Sequence, residues 1–94
     1  MTHSINIVPI NQPGDNRTGG ITGLTVELIT AVLGFPPNVQ DDPEKVKYSW
    51  GFTADGVRCG IWNYKGSDQY GEWSTFGPKN ILVKLFGGQY TAWA

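Results

Sequence analysis

The sequence predicts an α+β domain: a small antiparallel sheet with two helices, at about 23–33 and 78–86, packed on one face. Three observations carry this. Val46, Tyr48, Trp50 and Phe52 alternate with Lys45, Lys47, Ser49 and Gly51, the period of a half-buried strand. Asp55-Gly56 follows at once, and that dipeptide closes two-residue hairpins. Two further stretches place apolar side chains at helical spacing, and each ends at a glycine, Gly34 and Gly87.

Taken in order, "SINIVPI" at 4–10 reads as a short strand that Pro9 confines to an edge. "NQPGDNRTGGITG" at 11–23 reads as loop by its turn residues. The first helix takes Thr22 as its N-cap and Leu24, Leu28, Ala31, Val32 and Phe35 as its apolar stripe. Gly34 supplies its left-handed cap, and Pro36 and Pro37 prevent continuation. A polar connection, "NVQDDPEK", leads to the central hairpin 45–53/57–64.

The turn fixes the register of that hairpin, since it pairs Ala54 with Val57. One face then holds Phe52 opposite Cys59, Trp50 opposite Ile61, and Tyr48 opposite Asn63, and this is the predicted core face. The other holds Thr53 opposite Arg58, Gly51 opposite Gly60, Ser49 opposite Trp62, and Lys47 opposite Tyr64. The facing glycines make a bare notch there, flanked by Arg58 and Trp62.

After the loop "SDQYG", a third strand is predicted near 72–76. The second helix takes Gly77 as N-cap, Pro78 in its first turn, and Ile81, Leu82, Leu85 and Phe86 as its stripe. The whole is one domain, 1–94, with a loop-rich N-terminal segment 1–22 and an aromatic C-terminal tail 87–94. The tail either adds a strand or docks on a neighbour.

Composition narrows the function. The chain has 94 residues, 39% of them hydrophobic, and a domain this small gains from a symmetric partner; a homo-oligomer is expected. A net charge of −1 argues against charge-driven binding of duplex nucleic acid. The single Cys59 excludes an intramolecular disulfide and fits a reducing cytosol. No apolar run approaches the roughly 20 residues of a membrane span, so no membrane span and no signal peptide are expected.

Catalysis finds little footing. The only histidine is His3, near the start of the chain, and one His with one Cys does not build a zinc site. Cys59 falls on the core face and reads as a buried thiol. Asp41, Asp42 and Glu44 read as a solvated loop, and no P-loop or dinucleotide fingerprint occurs. No catalytic residue, metal or cofactor is expected.

Three features suit a ligand. "NRTGG" at 16–20 offers Arg17, Thr18 and the backbone of Gly19 and Gly20 to an anion, with a plain loop as the alternative. "WSTFGPK" at 73–79 places Ser74, Thr75 and Lys79 around a helix start, with an ordinary capped helix as the alternative. The outer hairpin face, Arg58, Trp62 and Tyr64, fits either a stacked base or a subunit interface.

The stretch from Glu27 to Ser67, with "VLGFP" at 32–36, "KVKYSWGFTADG" at 45–56 and "IWNYK" at 61–65, resembles a widespread class of small phage-encoded proteins. Their pattern runs "LFGxP", then "W-x-x-x-F-x-DG", "I-Y-x-Y-K" and a late "W-H-I-G-G"; the similarity covers residues 18–86. Thr18 to Gly20 match a T-x-G feature ahead of the first helix. Trp73 and Gly77 match the ends of the late motif, while Ser74 stands where those proteins have histidine.

The resemblance implies a phage protein, acting in the host cell cytoplasm, that counters bacterial immunity. Some proteins of that kind act as sponges for cyclic-nucleotide messengers, as anti-CBASS and anti-Thoeris proteins do. On that footing the expected activity is capture of a cyclic oligonucleotide without chemistry, at or near a homo-oligomer interface. Trp62 or Phe76 would hold the base, and Arg17, Thr18, Arg58, Thr75 and Lys79 would meet phosphate and ribose, with Gly19, Gly20, Trp73 and Ser74 completing the expected ligand-binding set. The competing readings are an inhibitor that caps a host defence enzyme and a small virion assembly protein.

Overall fold

A computed structural model describes residues 5–14, 16–40, 44–64 and 71–92. His3, the acidic pair Asp41 and Asp42, and most of the 67–71 loop lie outside these residues. The elements are β1 (Ile7–Pro9), β2 (Gly19–Ile21), α1 (Val26–Leu33), β3 (Val46–Ala54), β4 (Val57–Tyr64), β5 (Trp73–Phe76), α2 (Lys79–Phe86), a 3-10 turn (Gly87–Gln89) and β6 (Tyr90–Ala92). The strands form one sheet of order β1-β3-β4-β5-β2-β6, with every neighbouring pair antiparallel.

The hairpin β3–β4 has the predicted register from Ala54↔Val57 back to Tyr48↔Asn63. Asp55 and Gly56 adopt φ of 50° and 82°, so both central residues of the turn are left-handed, as a type I′ hairpin requires. Beyond Tyr48 the register departs from expectation: Tyr64 pairs with Val46, and Lys47 is looped out as a bulge. Asn63 is the cause. Its Oδ1 accepts the Tyr48 N–H at 3.0 Å, so a side chain replaces a ladder bond at that point.

Three expectations about local structure are corrected. Residues 19–21, read as loop, form β2 between β5 and β6. "GGI" shows no alternation, and its strand state comes from its neighbours: Gly19↔Thr75 and Gly20↔Ser74 on one side, Gly19↔Ala92 and Gly20↔Thr91 on the other. Helix α1 is capped by Thr25, whose hydroxyl accepts Leu28 N–H at 3.2 Å. Thr22 lies three residues short of the cap position, and its N–H donates to Gln89 O at 3.0 Å, extending the β2–β6 pairing. In α2, Pro78 occupies the N-cap position, and Gly77 ahead of it has φ 140°.

The stripe assigned to α1 is also corrected. Ile29 and Leu33 are buried, whereas Leu28 is 50% and Val32 40% exposed. In "VELITAVL" only Glu27 is charged, so the helix is apolar on most sides and its pattern does not single out one face. The α2 stripe is as expected, with Ile81, Leu82 and Phe86 buried and Gly87 ending the helix.

Directly paired residues share a sheet face. Trp50, Phe52, Cys59, Ile61, Trp73 and Ile21 therefore lie on one side, and all are buried in a single cluster with Ile29, Leu33, Ile81, Leu82 and Phe86. Two indole N–H groups are satisfied at the rim of that cluster: Trp50 Nε1 donates to Phe35 O at 3.0 Å and Trp73 Nε1 to Leu24 O at 2.9 Å. The rings meet edge to face at 5.3 Å.

The opposite side is crossed by the chain itself. β1 and β2 are separated by β3, β4 and β5, so the connection must cover four strand spacings, about 19 Å. It does so over the paired glycines. A Cβ on Gly60 would sit 3.0 Å from Gly14 Cα, and one on Gly51 would sit 2.5 Å from Ile10 O and collide with Gln12 O. Asn38 fastens the start of this crossing by donating to Ile10 O and Gly51 O, at 3.0 and 3.1 Å, and accepting from Gly51 N at 3.0 Å.

Candidate functional site

The crossing segment overturns the notch as an open ligand surface. Gly51 and Gly60 make room for backbone, and the space is filled by residues 10–14. Trp62 is only 6% exposed, and Gly14 lies so near that a Cβ there would be 2.5 Å from its ring. Arg58 reaches over the edge of the segment, donating from an Nη to Pro13 O at 3.1 Å, with its guanidinium 5.6 Å from the Phe76 ring centre. Arg58, Trp62 and Phe76 thus hold the crossing segment to the sheet.

The two anion-friendly segments meet. Thr18 N–H donates to Thr75 O at 2.8 Å, and β2 runs beside β5 from there. That meeting uses up part of what each was expected to offer. The Thr18 hydroxyl donates to Gly77 O at 3.1 Å and accepts from Gly77 N at 3.2 Å. Gly19 faces Tyr90 and Thr91 so closely that a Cβ would be 2.7 Å from Thr91 O. Thr75 is fully buried. Its hydroxyl has no partner at hydrogen-bond distance but stands near enough to the Tyr90 hydroxyl to oppose the upward pKa shift that burial imposes there. Lys79 is exposed on the first turn of α2 and lines neither cavity described next.

Five residues singled out from the sequence converge: Arg17, Gly20, Tyr64, Trp73 and Ser74. A cavity of about 40 Å³ is lined by Arg17, Asn63, Tyr64, Glu72, Trp73 and Ser74. An adjoining groove of about 230 Å³ shares Arg17, Glu72 and Trp73 and adds Gly20, Ile21, Thr22 and Thr91. Arg17 is anchored by its Nε, which donates to Gly19 O at 3.2 Å. Partial burial lowers its pKa, the charges of Tyr64 and Glu72 oppose that, and the guanidinium remains cationic. Trp73 forms a floor rather than a stacking platform, since its ring is 2% exposed.

Ile21, Asn63, Glu72 and Thr91 were not singled out as ligand residues from the sequence. Glu72 carried no signal, being one acid beside a strand. Asn63 did carry one, as the polar residue on the face assigned to core. It is 1% exposed, its Oδ1 is taken by Tyr48 N, and its Nδ2 has no partner.

A second groove, about 460 Å³, lies between the helices and is lined by Leu24, Leu28, Ala31, Val32, Leu85, Phe86 and Gln89. Cys59 is buried, and burial pushes its thiol up to about 11, so it is held protonated at neutral pH. Among the described residues no three His, Cys, Asp or Glu side chains are grouped to hold a metal ion, and no helix is long and apolar enough to cross a membrane. Comparison with family models, with curated proteins and with solved structures returns no match.

Proposed function

We propose that this is a phage anti-defence protein that captures a cyclic nucleotide signal, without chemistry, in the groove between Arg17, Glu72 and Thr91. The observation that carries the reading is the convergence of two polar segments, 16–20 and 72–74, distant in sequence, on one groove that pairs a cation with a carboxylate. Arginine suits phosphate, and a carboxylate suits ribose hydroxyls or base N–H groups. The likeness to phage proteins supplies the class of ligand.

Both helices, we infer, cover the sheet face bearing Trp50, Phe52 and Ile61, because Ile29, Leu33, Ile81, Leu82 and Phe86 cluster with those side chains. With the other face crossed by residues 10–14, the ligand is left the end of the sheet where β2, β5 and β6 meet. A groove of about 230 Å³ is below the range of about 300–1,000 Å³ usual for a drug-sized ligand. A second copy of the chain would complete it. The exposed stripe of α1 is where that copy would seat, since Thr22 lines the polar groove and Leu24, two residues on, lines the apolar one.

Calorimetry against cyclic di- and trinucleotides tests this. Tight binding by the full chain, weakened at least ten-fold in Arg17→Ala, is the expected result. Silence toward the whole panel sinks the reading. The rival, a cap on a host defence enzyme, draws on the apolar groove; a defined host enzyme inhibited by the wild type and spared by Leu28→Lys would favour it.

A further inference from the structure

The Asn63 amide is fixed in orientation. Its Oδ1 must be the atom that accepts Tyr48 N–H at 3.0 Å, so the opposite atom is the Nδ2 donor. That donor is buried in a side chain 1% exposed, has no partner, and belongs to a residue lining the cavity of about 40 Å³. A buried donor left without a partner is destabilising, so the sheet carries a donor waiting for an acceptor. The cavity volume admits about one oxygen atom with its substituent.

The acceptor's chemistry follows from what else lines the cavity. Glu72 is there, so an isolated phosphate oxygen would meet a carboxylate of like charge. A keto oxygen next to an N–H avoids that conflict: the oxygen accepts from Asn63 and the N–H donates to Glu72. We propose that this cavity is a base-edge subsite for a keto–imino group, the C(=O)–NH edge of guanine or uracil, with Asn63 and Glu72 as its specificity-determining residues. Adenine presents an amino group where the keto oxygen would be and is rejected, because it places donor against donor. Arg17 and the adjoining groove take the remainder of the nucleotide. The assignment rests on the nucleotide-capture reading above and names which nucleotides that site selects.

The test is calorimetry of the full chain with 3′,5′-cyclic dinucleotides of guanine, of uracil and of adenine, and with inorganic phosphate. Guanine or uracil probes are expected to bind at least ten-fold tighter than the adenine probe. Asn63→Asp keeps the acceptor for Tyr48 N and removes the donor, so it should erase that preference; Glu72→Ala, at an exposed position, should do the same if the Asp variant folds poorly. Equal binding of all three bases, unchanged in both variants, overturns the subsite while leaving nucleotide capture intact. Binding of phosphate that depends on Asn63 also overturns it. A wild-type chain that binds no probe overturns both; a crystal of the guanine complex in which only water fills the cavity overturns the subsite alone.

Discussion

Gly51 and Gly60 matter for the side chains they lack. Each faces backbone of the crossing segment, so a methyl group must displace main chain rather than a movable side-chain tip. Gly51→Ala is expected to cost about 1–3 kcal/mol, the range for overpacking a filled interior, read as a lower urea midpoint. Cys59 gives a second residue-scale expectation. Its folded thiol titrates near 11, above the ordinary 9.0, so the protonated thiol's contribution is complete below about pH 9 and is lost as pH rises toward 11. Stability measured across that window should fall, and the fall should be shallower in Cys59→Ala; alkylation of the native thiol at pH 8 should be slow. Asn63 shows how far a sequence informs at this scale. Its place on the core face was legible from alternation, but its bond to Tyr48 and the bulge that follows depend on an atom-level exchange that no pattern encodes.

At the scale of elements, legibility followed local constraint. The hairpin was readable to the register because Asp55-Gly56 dictates its own turn and a two-residue period dictates the faces. β2 was not, because "GGI" has no period and is a strand only by lying between β5 and β6. The face of α1 was misassigned because its apolar residues encircle it, and burial was decided by the sheet it meets. The site suffered in the same way. Arg17 and Ser74 were marked by type, Glu72 was not, and nothing local told that Arg58 and Trp62 would be taken by residues 13 and 14. The helix start is testable on its own: Thr25→Ala removes the acceptor for Leu28 N–H and should lower stability by about 1 kcal/mol, whereas Thr22→Ala leaves the cap untouched.

For the whole molecule, the unpartnered stripe of α1 sets the expectation. Leu28 and Val32 are half exposed beside a groove whose other wall is Leu85 and Phe86. On the proposed seating of a second copy at this face, Leu28→Lys should leave the thermal transition nearly unchanged and give a monomer in light scattering where the wild type gives a larger species. The crossing of residues 10–14 has a consequence in time as well as space. β2 sits between strands drawn from the far end of the sequence, so residues 19–21 find their places only after β5 and β6 exist, although they precede both in the chain. A ribosome-bound chain can close β3 onto β4 before β5 and β6 have emerged, and the polar groove does not exist until β2 is clamped between those two late strands.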